Sequence, residues 1–462
     1  MILEKVGHIV EKFLFSTVEK WVLILTVFSM FLFAVFFGVL VRQELIGSQK
    51  LGAISKAALF FAEIPVYVKQ LGQDEIILIN RFPEATGFIG QPLKKKQYLL
   101  LSRTHPILEE GVVELVDLTN FSIIHTWNPD ITYINSLVDK SNPHFEKLEI
   151  DHSERRYRAY YPILMNDGSL IFQNNSPLVK IDFCSQLIWQ NQDSKYHHSN
   201  ELDHEGYIYS ASRKYPYGDK EIYVGNDYGN FYDDAIAKVT QDGELVYEKS
   251  VADIFIKNNL KSLLFGLGDR RFDFDPIHLN DIQPVLKDGD FWKKGDLFLS
   301  LRHQSMVILY RPSTDEIIWK SKRGVFSHQH DVNIINDHTI SVFNNNNFNT
   351  VYGEIVDKNN QIIFYDFKNN KYSRIINDAL MQYEVRTITE GKAEVTDDGD
   401  IFIEESNYGR SLYFDKSGEL LWQHVNRAED TDVFRVAWSR LIYKEEEVEM
   451  IDKLMKKECI YE

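Results

Sequence analysis

The stretch LYFDKSGELLW, residues 412–422, contains an apolar run, a polar turn with a glycine, and a second apolar run that ends in tryptophan. This order is typical of an antiparallel β-hairpin. Similar stretches recur about every 50–70 residues, which is the mark of a repeat architecture. They are VELVDLTNFSIIHTW (113–127), LVKIDFCSQLIW (178–189), AKVTQDGELVY (237–247), VILYRPSTDEIIW (307–319) and FYDFKNNKYSRI (364–375).

A second unit, a polar turn that leads into an apolar run, precedes or separates these hairpins. Its copies are NDGSLIF (166–172), DHEGYIY (203–209), KKGDLFL (293–299), INDHTISV (335–342) and TDDGDIFI (396–403). Two hairpins per repeat make a four-stranded sheet. Six such sheets arranged radially predict an all-β fold, a six-bladed β-propeller. The alternative is a pair of β-sandwiches, but the regular aromatic-ended hairpin favours the propeller.

The charge and the cysteines limit the possible functions. The 462 residues include 51 Lys and Arg against 68 Asp and Glu, a net charge of −17, which argues against binding to nucleic acid. An anionic ligand must therefore be held by a few local arginine, histidine or backbone donors. Of the two cysteines, Cys184 and Cys459, the second lies close to the C-terminus. We therefore expect no structural disulfide between them and no metal site built on cysteine.

Residues 21–41, WVLILTVFSMFLFAVFFGVLV, carry no charged side chain. As a helix this run would span a hydrocarbon core of about 30 Å. It is longer than the apolar region of about 7–15 residues in a signal peptide, so it predicts an uncleaved single-pass anchor in the lipid bilayer. Basic residues flank it on both sides, which leaves the orientation open.

The sequence thus predicts five segments. They are a cytoplasmic lead-in (1–20), a transmembrane anchor (21–42), a juxtamembrane linker or helix (43–75), the propeller (76–443) and a helical tail (444–462). Long inserts at 130–160 and 255–275 are candidates for the wall of a substrate pocket.

Three polar clusters each precede or open an apolar run. They are YHHSNELDHEGYIYSAS (196–212) with His197 and His198, DPIHLNDIQPV (275–285) with His278 and Asn280, and FSHQHDVNIINDHTISVFNNN (326–346) with His328, His330 and Asp331. An isolated histidine is more often structural than catalytic. In a propeller, however, equivalent ends of the innermost strands converge on the central channel, so these clusters are expected to meet there.

Arg302 and His303 lie in GDLFLSLRHQSMVILY (295–310), where they are predicted to interrupt an apolar strand. A buried arginine is costly without an anionic partner. It either forms a structural ion pair with a neighbouring blade or binds an anionic ligand. Together with the histidines it would make a pocket for a sulfate or phosphate ester, because arginine can bind two oxygens at once and histidine can attack or donate a proton.

The motifs HHS…GYIY, HLNDIQ, LSLRHQSMVILY and HQHD…TISVFNNN occur in this order in the aryl sulfate sulfotransferase family, which the chain resembles over roughly residues 110–440. The resemblance implies a six-bladed propeller. It also implies ping-pong transfer of a sulfuryl group from an aryl sulfate to a phenol through a sulfated histidine. The sequence has no GxxxxGK[ST] loop, which agrees with a donor that is not a nucleotide, and no cofactor is expected.

Carried onto matching positions, the resemblance implies that His330 is the nucleophile. His198, His278 and Arg302 would bind the sulfuryl oxygens and stabilise the transition state, and His278 or His198 would protonate the leaving phenolate. The expected substrate-binding residues are His197, His328, Asp331 and Asn280. Asp331 or a backbone carbonyl is expected to hold the tautomer of His330. The family acts outside the cytoplasm, which implies a periplasmic or extracellular catalytic domain.

Two other functions are compatible with these residues. A non-catalytic propeller could bind a ligand or scaffold an envelope complex, since one fold serves many functions. A metal-dependent hydrolase could use His197, His198, His328 and His330, because HH and HxH pairs can ligate zinc. The four motif positions fit anion binding better, so no metal is assigned.

Overall fold

The computed structural model describes residues 17–45, 49–71, 77–142, 144–145, 148, 152–214, 231–265, 274–350, 353–428 and 432–459. The chain divides into two compact units. The first contains residues 1–74 and 268–272, and the second contains residues 75–267 and 273–462.

The described part of the first unit contains two helices, α1 (Lys20–Leu45) and α2 (Gly52–Leu71), with a short 3-10 turn (Gln49–Leu51) before α2. Helix α1 has 26 residues, about 39 Å at 1.5 Å per residue. Most of its apolar side chains are exposed. Among the described helices it alone is long and apolar enough to cross a membrane, and it fits a membrane anchor or a signal sequence.

The second unit is built almost entirely of strands. Strands β1–β14 are Ile77–Leu78, Gly87–Gly90, Tyr98–Thr104, Gly111–Asp117, Ser122–Trp127, Tyr160–Leu164, Leu170–Gln173, Ser176–Ile181, Leu187–Leu202, Ile208–Arg213, Asp234–Val239, Leu245–Ser250, Leu279–Pro284 and Leu297–Leu301. Strands β15–β28 are Met306–Arg311, Glu316–Lys320, Val332–Asn336, Thr339–Asn344, Asn347–Thr350, Gly353–Val356, Gln361–Asp366, Lys371–Ile375, Lys392–Val395, Ile401–Glu405, Arg410–Phe414, Leu420–Val425, Val433–Phe434 and Arg440–Ile442. In its described residues there are also five short helices: α3 (Ile131–Ser136), α4 (Val251–Lys257), α5 (Lys261–Phe265), α6 (Asn377–Gln382) and α7 (Glu445–Leu454).

The strands form antiparallel sheets in a propeller-like arrangement. In the described residues, four sheets have four or five strands: β28-β3-β4-β5, β13-β14-β15-β16, β17-β18-β21-β22 and β2-β26-β25-β24-β23. A fifth sheet has seven strands, from β6 to β12 in chain order. Its central strand β9 has 16 residues: its first part pairs with β8 and its second part with β10. The prediction of an all-β, propeller-like fold is confirmed at this level.

All six hairpins predicted from the sequence are present. They are the antiparallel pairs β4–β5, β8–β9, β11–β12, β15–β16, β21–β22 and β25–β26. The tryptophans that end two of them, Trp127 and Trp422, are fully buried. The second repeated pattern of the sequence, a polar turn followed by an apolar run, corresponds to β7, β10, β14, β18 and β24, which pair with the first strands of five of these hairpins.

Six strands line most of a central cavity, and we call them the inner strands: β6, the second half of β9, β13, β17, β23 and β28; a seventh strand, β3, contributes Leu100 alone. The last of them, β28, comes from the C-terminal part of the chain and pairs with β3. This pairing joins the end of the strand repeat to its beginning, as ring closure in a propeller requires.

The tail is attached to the strands more firmly than the sequence suggests. Ile451 and Leu454 of α7 are buried in an apolar cluster with Phe183. Beyond α7, Cys459 forms a disulfide with Cys184, whose Cα lies 5.5 Å away. The expectation that these cysteines do not pair is therefore wrong. The tail folds back onto the β8–β9 turn, and this brings together two residues that are 275 positions apart.

Candidate active site

Three of the predicted histidines meet at the N-terminal ends of inner strands. His198 lies in β9, His278 directly precedes β13, and His330 lies two residues before β17. The ring centroids of His198 and His278 are 5.2 Å apart, and those of His198 and His330 are 6.4 Å apart. Three separate parts of the chain thus supply one compact group of imidazoles.

A shared backbone feature delivers two of these side chains. His198 and His278 have φ angles of 59° and 53°, which is uncommon for residues other than glycine. Glu390 (57°) and Trp438 (58°) have the same left-handed conformation close to the start of their inner strands. The pairing of β9 with β10 shifts register at His198, as in a β-bulge. Such irregularities re-aim side chains out of the sheet and are common beside functional sites.

His330 is held in one tautomer. Its Nδ1 lies 2.7 Å from Oδ1 of Asn345 and 3.2 Å from the carbonyl oxygen of His328, and its Nε2 accepts a hydrogen bond from the backbone N–H of Glu390 at 3.0 Å. Nδ1 therefore carries the proton and Nε2 the lone pair. The residue is 1% exposed, and burial, with the charge of Arg302, lowers the pKa of His330 well below its usual value. The imidazole is neutral at neutral pH.

Asp331 does not hold this tautomer, so that prediction is wrong. Its carboxylate accepts hydrogen bonds from Asn333 Nδ2 at 2.6 Å and from the backbone N–H of Ala393 at 3.2 Å. Neighbouring side chains on an extended chain point to opposite sides, which takes Asp331 away from the ring of His330. The backbone-carbonyl alternative is confirmed by His328. The closer partner, Asn345, was not predicted, although it lies in the quoted asparagine run.

His197 lies behind His198. Its Nδ1 is 2.7 Å from Nδ1 of His198, and its Nε2 is 3.3 Å from a carboxylate oxygen of Asp234. Burial lowers the pKa of both histidines, and their mutual repulsion lowers that of His198 further. His197 is 1% exposed and is placed to orient His198.

Asp275 is the partner of His278. Its Oδ2 lies 2.6 Å from Nδ1 of His278 and 3.7 Å from Nδ1 of His303. Burial raises the pKa of Asp275, but the hydrogen bond and charge of His278 outweigh it, and the net pKa is lowered. With Nδ1 bound to a carboxylate, His278 has only Nε2 to offer to a ligand. Asp275 stands in the quoted motif but was not predicted as a site residue.

Arg302 and His303 do not interrupt a strand, which corrects the prediction. They occupy the turn 302–305 between β14 and β15. The Arg302 guanidinium donates from Nη2 to Glu354 at 2.8 Å and lies 2.8 Å from Nε2 of His303 through Nη1. Glu354 belongs to the hairpin β19–β20, a separate two-stranded sheet. Arg302 therefore forms an ion pair, which was the first of its two interpretations. It also lies beside a histidine, so its position is compatible with the second interpretation, in which it binds an anionic ligand.

Two other predicted substrate-binding residues lie nearby. His328 is half-buried, its ring centroid is 6.3 Å from that of His303, and its Nδ1 has no hydrogen-bond partner among the described residues. Burial, with the charge of Arg302, lowers the pKa of His328 to about 4. Asn280 is fully buried, and its amide donates to the carbonyl of Gln329 at 3.0 Å.

Two further residues of the site, besides Asn345 and Asp275, were missed from the sequence. The ring of Trp438 lies 5.8 Å from that of His198 and 6.1 Å from that of His330, so it packs against both imidazoles. Glu390 places its backbone N–H on His330, while its carboxylate accepts from the hydroxyl of Tyr160 at 2.9 Å. Neither residue lies in one of the histidine clusters of the sequence. The feature that they share with His198 and His278 is the left-handed backbone conformation.

One group in the described part of the chain has the donor atoms for a metal ion. The ligand atoms of Asp275, His278 and His303 lie within 4.8 Å of one another. This set differs from the four histidines of the hydrolase alternative. Nδ1 of His303 already lies 2.5 Å from the carbonyl of Asp275, and its Nε2 faces Arg302. A nearby guanidinium disfavours a metal cation at this group.

The large central cavity lies away from the histidine site. It measures about 1130 Å³ and lies at the C-terminal ends of the inner strands, where α7 contributes to its wall. None of the site histidines lines it. Some of its charged side chains are paired: Arg440 lies 3.1 Å from Glu201, and Glu394 is bound by Lys392.

A sequence profile described as Arylsulfotransferase (ASST) matches residues 161–427, more than half of the chain. The chain belongs to the arylsulfotransferase family. The match includes His198, His278, Arg302 and His330, whereas Trp438 lies outside it. Membership of the arylsulfotransferase family indicates a transferase at family level, with aryl sulfates and phenols as the substrate classes.

Other comparisons give more distant similarities to this arylsulfotransferase-family chain. A protein of unknown function from Bacteroides caccae is 11% identical, with a TM-score of 0.44, over 76% of this chain and all of that one. Kuenenia stuttgartiensis hydrazine synthase is 11% identical, with a TM-score of 0.39, over 74% of this chain and 80% of that one. A Staphylococcus aureus virginiamycin B lyase is 10% identical, with a TM-score of 0.34, over 58% and 71% of the two chains. No curated protein matches.

Proposed function

We propose that the protein is a membrane-anchored, nucleotide-independent sulfotransferase that moves a sulfuryl group from an aryl sulfate to a phenol through a sulfated His330. The observation that carries this proposal is the tautomer of His330. A buried, neutral imidazole with Nδ1–H bound to Asn345 has its lone pair on Nε2. That atom is a competent nucleophile near neutral pH.

In the first half-reaction, Nε2 of His330 attacks the sulfur of the donor. The bond between sulfur and the phenolic oxygen breaks, and its electron pair leaves with the phenolate. Either His278 or His198 would give the phenolate its proton. The lowered pKa of His198 favours His278, whose Nδ1 is bound to Asp275. In the second half-reaction, the phenol acceptor loses its proton to the same histidine and attacks sulfur, and the S–N bond breaks.

Charge on the sulfuryl oxygens would be stabilised by several donors. In the free enzyme the backbone N–H of Glu390 binds Nε2 of His330. Once Nε2 bonds to sulfur, this N–H would be available to a sulfuryl oxygen, as in an oxyanion hole. Arg302 would add a cationic donor, moderated by Glu354 at 2.8 Å.

We also propose that the domain has six blades. The seven-stranded sheet would then contain two blades that share β9, the last strand of one and the first of the next. Six inner strands around one cavity support this count. The count is also supported by a residue with left-handed backbone conformation at or just before each inner strand. These residues are Tyr161, His198, His278, His328, Glu390 and Trp438.

The disulfide supports a location outside the cytoplasm, with α1 as an uncleaved anchor. Disulfides persist in oxidising compartments and are rare in the cytosol. Cys184 and Cys459 both lie in the second unit, so that unit would be in the periplasm or outside the cell. Alkylation of freshly lysed cells tests this location: two reactive thiols in the full-length protein would contradict it.

The activity is tested with detergent-solubilised full-length protein, 4-nitrophenyl sulfate and phenol. We expect nitrophenol release that requires phenol and falls at least about 10³-fold in His330→Ala, because the nucleophile is lost. His338→Ala is a matched control, since this histidine bonds Asp366 on an outer strand. Release without phenol would indicate a sulfatase. No release from folded protein would favour the non-catalytic propeller.

A further inference from the structure

Arg213 stands at the end of β10, where it pairs across the sheet with Asp234 and Lys195. Its guanidinium carbon lies 4.1 Å from the centroid of the Tyr232 ring, so the two side chains are in cation–π contact. Unlike Arg302, it has no carboxylate partner among the described residues, and its buried Nε has no hydrogen-bond partner there. Burying a guanidinium N–H without a partner costs free energy, which a bound anion would recover.

This pair lies close to the histidine site. The backbone N–H of Tyr232 donates to the carbonyl of Phe274 at 2.8 Å, which fixes Tyr232 beside the segment that carries Asp275. The charge of Arg213 also reaches the site: it contributes to the lowered pKa values of His198 and Asp275, after larger effects of burial and nearer groups. Arg213 is therefore near the site, and its guanidinium packs on the ring of Tyr232.

Tyr232 supplies the second half of a recognition surface. Tyr232 is 42% exposed, although Arg213 covers part of its ring. An exposed aromatic ring beside an arginine suits a flat aromatic ligand that carries a negative charge: the ring packs on the aromatic surface and the anion binds the N–H groups of the guanidinium. The chain as a whole has a net charge of −17. A cation without a carboxylate partner therefore creates a local positive potential, which attracts an anionic ligand to this position.

We propose that Arg213 and Tyr232 form a second subsite, which selects aromatic substrates with an anionic group in addition to the sulfuryl group or phenol. This inference rests on the proposed function, because it assumes that aromatic substrates reach His330. A carboxylate on the ring is the simplest group of this class. The ligand could be the donor or the acceptor, since both are aromatic.

The test is equilibrium binding to the full-length His330→Ala protein in detergent, by isothermal titration calorimetry. This background cannot form the sulfated histidine, so binding is measured without turnover. The donor arm compares 4-carboxyphenyl sulfate with phenyl sulfate, and the acceptor arm compares 4-hydroxybenzoate with phenol. We expect the carboxylate to improve affinity about 10-fold in at least one arm, as a charge-assisted hydrogen bond would.

The preference should disappear when Arg213→Gln is added and persist in part with Arg213→Lys, which keeps the charge. Arg374→Gln, an exposed arginine that bonds Gln361, is the matched control and should leave the preference unchanged. A preference in one arm alone supports the subsite and assigns it to donor or acceptor. The absence of a preference in both arms, or one that survives Arg213→Gln in folded protein, overturns the proposal. Because no transfer is needed, failure of the sulfotransferase activity would not by itself affect this result.

Discussion

Asn345 determines which nitrogen of His330 carries the proton. Its Oδ1 lies 2.7 Å from Nδ1 of His330, and its own amide is oriented by the carbonyl of Glu390 at 2.8 Å. An amide locked in this way can only accept from His330. The geometry assigns it as a positioning residue, a role that supporting hydrogen bonds often have around reactive histidines.

We expect Asn345→Leu to lower kcat for aryl sulfate turnover about 10–100-fold, with a small change in KM. The imidazole would lose its fixed tautomer, while the groups that bind the sulfuryl oxygens would remain. Steady-state kinetics with 4-nitrophenyl sulfate and phenol measures this split. Asn349→Leu, an exposed asparagine on β19, is the control. A fall in affinity with unchanged kcat would show that Asn345 binds substrate instead.

For single residues, the sequence predicted which side chains belong to the site better than it predicted the contacts that they make. His198, His278 and His330 could be found because each stands in a polar cluster next to an apolar run. Trp438 could not, because it lies far along the chain and contacts the histidines only after β28 closes the ring. Asp331 was assigned to His330 because it is adjacent, but adjacent residues of an extended chain face opposite ways.

The hairpins are the elements that the sequence predicts best. In LYFDKSGELLW the turn and the alternation are both local, and β25 and β26 appear where expected. Arg302 was placed in a strand because apolar residues flank it on both sides. These flanks are two strands, β14 and β15, and Arg302 lies in the turn between them. The disulfide was missed because the position of Cys459 near the C-terminus does not reveal where the C-terminal tail folds back onto the strands.

The disulfide should stabilise the domain without affecting chemistry. Closing a loop of 275 residues can contribute up to about 5 kcal/mol to the free energy of unfolding. We expect Cys184→Ser/Cys459→Ser to lower Tm and to leave sulfuryl transfer unchanged, since neither cysteine contacts the histidines. Thermal unfolding with and without reductant measures this effect. Reductant should lower the Tm of the natural protein only, and an equal loss in the double variant would contradict the assignment.

For the whole molecule, the repeat was recognisable from sequence, but the number of blades remains a prediction. Six hairpins were counted, and the structure contains all six. Strand β9 is continuous through two successive four-stranded groups, so one sheet contains both. No local pattern in residues 187–202 distinguishes a long strand from two short ones.

Buried histidines make the stability of the whole domain sensitive to acid. Burial lowers the pKa of His424 to about 3 from the usual 6.5, and this ring packs 4.5 Å from that of Phe88. Below pH 6.5 the unfolded chain binds a proton that the folded chain does not, so stability falls as the pH falls. At pH 5 the loss from His424 alone is about 2 kcal/mol.

We therefore expect urea unfolding of the full-length protein to show lower stability at pH 5 than at pH 7.5. His424→Phe should reduce that difference, because it removes one titrating group from an apolar site. Tryptophan fluorescence follows the transition. An unchanged pH dependence in the folded variant would contradict the assigned pKa.

The most direct test of the central claim is the intact mass of the protein after incubation with 4-nitrophenyl sulfate and no acceptor. A sulfated His330 predicts an adduct of about 80 Da, as covalent catalysis requires. The adduct should disappear when phenol is added and should be absent from His330→Ala. Nitrophenol release with no adduct, or an adduct that persists in the variant, would contradict transfer through His330.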